Sequence, residues 1–104
     1  MALTISTTDP DGLLKAIKEG IEKRQIETWA CDSDGDFTHS PVQWNKKAWL
    51  RPKSANGVLS LELVTLKDVK VSAEIYGVYH GRFIEMLLAH FGSKLTQAIA
   101  TPQT

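Results

Sequence analysis

The chain has 104 residues, with 12 Lys and Arg against 12 Asp and Glu, so its formal net charge is zero. That length fits one domain, and the 42% apolar and 23% charged content excludes a disordered chain. A single cysteine excludes an internal disulfide framework, and the even charge excludes a polybasic binder of the histone kind.

The first predicted element is a helix. Asp9 accepts from the free amides of the first turn, and Pro10 suits the first helical position. Leu13, Leu14, Ile17 and Ile21 follow at helical spacing, and the helix is expected to end near Arg24. Ile26 to Cys31 reads as a strand, with the acidic turn Asp32-Ser33-Asp34-Gly35-Asp36 behind it and Phe37 to His39 as its return. Ser40-Pro41-Val42-Gln43 carries a helix-start signature, and one short helical turn through Trp44 is expected.

Asn56-Gly57, between Lys47–Ala55 and Val58–Leu66, is the clearest hairpin signal. A two-residue loop sets Leu50 opposite Leu63, Trp49 opposite Val64 and Arg51 opposite Glu62. Leu50, Leu59, Leu61 and Leu63 then share the core face, while Trp49, Lys53, Ser60 and an Arg51–Glu62 ion pair take the other. Pro52 falls at a non-hydrogen-bonded pair, so pairing on the strand's far side is open or interrupted there.

The last strong element is a helix from about Ser72 to Phe91, capped by Ser72 and terminated at Gly92. Ile75, Tyr76, Tyr79, Phe83, Met86, Leu87 and Phe91 form its apolar stripe, which Ile84 and Leu88 widen. His80 and His90 fall within the same arc and read as buried, hydrogen-bonded core histidines. Residues 1–8 and 93–104 are expected to fray. The fold expected is therefore a single α+β domain in the order α-β-β-β-α. It has a small antiparallel sheet of three or four strands, with two helices on one face.

The N-terminal residues show neither a basic region nor a long apolar one, and no apolar run approaches the ~20 residues that span a bilayer. No membrane association and a cytoplasmic location are the expectations. Asp32, Asp34 and Asp36 have the spacing of a calcium loop, but Phe37 stands where that loop needs glycine and Gln43 where it needs glutamate. Cys31, His39, His80 and His90 lack the paired spacing of a zinc site, so no metal and no cofactor are expected. A Cys31–His39 nucleophilic pair across the hairpin has no orienting third group marked in the sequence. An enzyme would need His39 or His80 beside an acidic or thiol partner in a pocket.

Two features point to partners. Gly77 and Gly81 cost the last helix roughly 1 kcal/mol each against alanine and clear a flat strip beside Ile84 and Leu88. That strip either packs on the domain's own sheet or first helix, or forms a subunit contact edged by Tyr76, His80 and Arg82. The second feature is the basic segment Lys46, Lys47, Arg51 and Lys53 with Trp49, which suits a single-stranded nucleic acid. Trp29, Trp44 and Trp49 could also form a platform for sugars, although core positions account for most tryptophans in a domain this small. The function expected first is a non-enzymatic protein-interaction module that forms a homo-oligomer or binds another protein; the alternative is a nucleic-acid-binding module. Neutrality is itself a sum, for residues 26–44 hold four Asp and Glu and no Lys or Arg, and residues 45–53 hold four Lys and Arg and no Asp or Glu. A dipolar surface of that kind can steer a partner or a second copy of the chain.

Overall fold

The computed structural model describes residues 2–102. In chain order the elements are β1 (Ala2–Ser6), α1 (Pro10–Glu22), β2 (Trp29–Cys31), β3 (Phe37–His39), β4 (Trp49–Ala55), β5 (Val58–Val64), α2 (Ala73–Phe91) and, after a 3-10 turn at Gly92–Lys94, β6 (Gln97–Ala100). The six strands form one antiparallel sheet in the spatial order β2-β3-β4-β5-β1-β6. The α+β class holds, but the sheet has six strands instead of three or four: four strands, not three, lie between the helices, and one more is added at each end.

Both added strands lie in segments expected to fray. β1 runs between β5 and β6, with Leu3 opposite Leu61 and Ile5 opposite Leu59. Its sequence alternates, so Leu3 and Ile5 point to the core with no exposed surface while Thr4 and Ser6 point away. β6 then pairs with the far side of β1, and the Thr7 hydroxyl donates to the Lys94 carbonyl at 2.7 Å where the two segments meet. Met1, Gln103 and Thr104, also in the segments expected to fray, lie outside the described residues.

The β4–β5 hairpin has the expected register throughout, from Trp49 opposite Val64 to Ala55 opposite Val58. Gly57 takes a positive φ of 75°, which the tight turn requires and which glycine adopts without strain. Across β4, pairing with β3 is confined to Phe37 opposite Leu50, so it stops before Pro52, whose ring has no amide to donate. The ion pair expected from Arg51 to Glu62 goes elsewhere. Arg51 forks onto Asp36 instead, with Nε and Nη2 at 3.2 and 2.9 Å from the two carboxylate oxygens. The acidic turn and the basic strand therefore face each other.

Both helices cover the same face. The Ser54 hydroxyl donates to Asp11 in α1, and the Phe37 ring packs at 5.6 Å from that of Phe83 in α2, while Ser54 and Phe37 share the face of Leu50. Asp9 caps α1 and Ser72 caps α2 as expected, each accepting from the amide three residues on. Gly92 does not end α2 in the left-handed conformation; its φ is −54° and the chain tightens into the 3-10 turn. Around Trp44 the chain makes a single hydrogen-bonded turn, with the Asn45 amide donating to the Pro41 carbonyl and Lys46 closing it at a φ of 59°. Ser40 does not cap it, for its hydroxyl donates to the Glu27 carbonyl.

The placement of β1 predicts that Leu3→Ala lowers stability by about 2–5 kcal/mol, the cost of emptying a fully buried leucine site. Urea unfolding checks it; a frayed terminus would show almost no change.

Candidate functional site

Tyr79 fixes the geometry of this region. Its ring stands edge-on to Trp29 at 5.7 Å, and its hydroxyl reaches Thr38 Oγ1 at 3.0 Å and the Trp44 carbonyl. Thr38 Oγ1 also receives the Lys46 amide, and its one proton is shared between the Ala48 carbonyl and the Tyr79 oxygen. One helix side chain thus holds the connection between β3 and β4 against α2.

Beside that connection lies a cleft of about 480 Å³, bounded by α2, residues 25–28 and residues 39–44. His39 is its most buried polar group, 5% exposed. It sits opposite Trp29 in the β2–β3 register, its ring 4.7 Å from the indole. Nδ1 lies 2.8 Å from the Thr28 carbonyl, which can only accept, so Nδ1 carries the proton and Nε2 keeps a lone pair. Nε2 has no hydrogen-bond partner among the described residues and opens to the cleft. Burial lowers the His39 pKa below its ordinary 6.5, with nearby Arg82 adding to the effect and Thr28 and Glu85 opposing it. Arg82 and Glu85 are themselves paired at 3.2 Å on the cleft's α2 wall.

His80 is buried as expected, with Nδ1 2.7 Å from the Tyr76 carbonyl and its ring stacked on Tyr76 at 4.0 Å. Neither it nor Tyr76 offers surface to a partner: Tyr76 is buried too, its hydroxyl donating to the Thr101 carbonyl at 2.6 Å. His90, expected in the core, is exposed and lines the cleft. Cys31 faces Phe37 across the hairpin, offset two positions from His39, and burial raises its thiol pKa. That pair is not brought together, and a raised pKa leaves less thiolate to attack.

Gly77 and Gly81 are exposed, and a methyl group built on either would meet no other part of the fold within 4 Å among the described residues. The strip does not pack on the domain's own sheet or first helix. Arg82 is exposed, Ile84 is half-buried against the core, and Leu88 stands 60% exposed. Trp49, Arg51 and Lys53 line one row on the sheet face that neither helix covers, with Lys46 and Lys47 exposed on the turn before β4. The three tryptophans do not share a platform: Trp29 is in the core, Trp44 borders the cleft and Trp49 is on the far face.

Two of the three carboxylates of the acidic turn, Asp32 and Asp36, are engaged within the chain. Asp32 Oδ1 receives the amides of Asp34 and Asp36, while the Asp36 carboxylate holds Arg51. Among the described residues no group of three His, Cys, Asp or Glu side chains is arranged to hold a metal. No described helix is long and apolar enough to cross a membrane. Comparison of the chain with family models, with curated protein sequences and with solved structures returned no match.

His39 and His80 both have pKa values lowered chiefly by burial. Each is protonated sooner in the unfolded chain, so its contribution to stability is whole above 6.5 and is lost as pH falls through its folded value. Denaturant unfolding is expected to show stability flat just above neutrality. Below pH 6.5 it should fall by up to about 1.4 kcal/mol per pH unit for each histidine.

Proposed function

We propose that this chain is a self-associating protein-interaction module whose contact surface is the strip of α2 formed by Gly77, Gly81, Ile84 and Leu88. The observation that carries the reading is the open space over both glycines. Interior glycines cost a helix roughly 1 kcal/mol each, and no side-chain contact among the described residues offsets that cost here. Positions 77, 81, 84 and 88 follow helical spacing, so the bare backbone and the exposed Leu88 lie on one line. A second helix can approach closely over such a line, and a second copy of the same strip supplies matching side chains for a two-fold contact.

A nucleic-acid surface is the alternative. The row of Trp49, Arg51 and Lys53 on the uncovered sheet face favours it. Two things weaken it: Arg51 is already held by Asp36, and Glu62 stands directly opposite Arg51 in the register. A cation spent on a neighbouring carboxylate has less to offer a phosphate.

Gly81→Leu separates self-association from a merely solvent-facing strip. It is expected to raise the stability of the monomer by roughly 0.7 kcal/mol, because leucine is the better helix former and the site is open. The same change should weaken self-association in sedimentation equilibrium at micromolar concentration. A wild-type chain that sediments only as monomer overturns the proposal, as does an oligomer that Gly81→Leu leaves intact.

A further inference from the structure

The cleft lies on the other flank of α2 from the glycine strip, so what it binds is a separate matter from self-association. From its charge and hydrogen-bonding groups, we infer that it is a binding site for a small organic cation, a primary amine carried on a single-ring apolar body.

Its volume of about 480 Å³ falls within the span of small-molecule sites. Its charged walls are Glu27, Glu85 and Arg82, two carboxylates against one guanidinium, an excess of one negative charge among its acidic and basic side chains. Its most buried polar residue, His39, is 5% exposed and presents a bare acceptor, Nε2. Arg82 already spends its charge on Glu85. An anion would meet an excess of acceptors and a compensated arginine. An ammonium group can instead donate to the unpartnered Nε2 and balance the carboxylate that Arg82 leaves uncompensated.

The apolar remainder of the ligand has a place as well. Ile26, Met86 and the half-buried Trp44 line the same cleft. An indole ring beside an acceptor-rich wall can favour a cation both by apolar contact and by the attraction of its quadrupole. Tyr79 holds the Trp44 backbone, so that wall is fixed before a ligand arrives and little ordering cost remains.

Titration of the isotope-labelled full-length chain at neutral pH with benzylamine, benzyl alcohol and benzoate tests this. Benzylamine is expected to give saturable shifts of the His39 imidazole and of the amides around Glu85 and Ala89, and to bind more tightly than the other two. Glu85 is an exposed surface residue, so Glu85→Gln keeps the fold while removing one of the two carboxylates. It should weaken benzylamine roughly fivefold. Absence of saturable shifts into the tens of millimolar overturns the inference. So does benzoate binding as well as benzylamine, or an affinity that Glu85→Gln does not change.

Discussion

The hydroxyl of Tyr79 is the contact on which the functional region depends. β3 and β4 pair through a single residue couple, Phe37 with Leu50, and a connection spanning residues 40–48 separates them. So little strand pairing cannot by itself place a segment of that length. Tyr79 places it, bonding Thr38 Oγ1 and the Trp44 carbonyl from inside the core. A buried hydroxyl with two partners is stabilising only while both are present, because an orphaned polar group in a low-dielectric interior is costly. The buried Thr38 completes the arrangement: its oxygen receives the Lys46 amide, and its one proton is shared between the Ala48 carbonyl and the Tyr79 oxygen.

From that anchoring follows a division of α2 into three parts. Its inner face, with Tyr79, Phe83 and Leu87 wholly buried, closes the core over the sheet. One flank forms the wall of the His39 cleft, and the other presents Gly77, Gly81 and Leu88 to solvent. The sheet below is covered on one side only. On its open side the charges that cancel in the composition meet in space, Asp36 against Arg51. Neutrality there is local pairing, which lessens the dipole that the segment counts imply.

What was legible in the sequence is what short-range chemistry determines. Asn56-Gly57 sets a two-residue loop, and a loop of that length sets every pair of β4 and β5. Asp9 and Ser72 mark helix starts because an amide three residues on needs an acceptor. β1 and β6 are different. Five and four residues long, they have no hairpin turn to a partner, and β1 is a strand because β5, more than fifty residues away, pairs with it. The alternation of Leu3, Thr4, Ile5 and Ser6 was the available signal. The cleft was less legible still. His39 stood out as a titratable residue, but Glu85 and Arg82 reach it from a helix far along the chain, and no spacing rule relates them. The partner of Arg51 likewise depended on the β3–β4 register, which the core contact of Phe37 with Leu50 decides.

One side chain of α2 thus holds the cleft-forming connection in place, while β1, β4 and β5 are held by their own pairing. Amide hydrogen exchange of Tyr79→Phe against the wild type tests this most directly. The amides of residues 38–48, Lys46 first among them, are expected to lose protection while those of β1, β4 beyond Leu50 and β5 keep theirs. Unchanged protection in the connection, or an equal loss across the whole sheet, would contradict it.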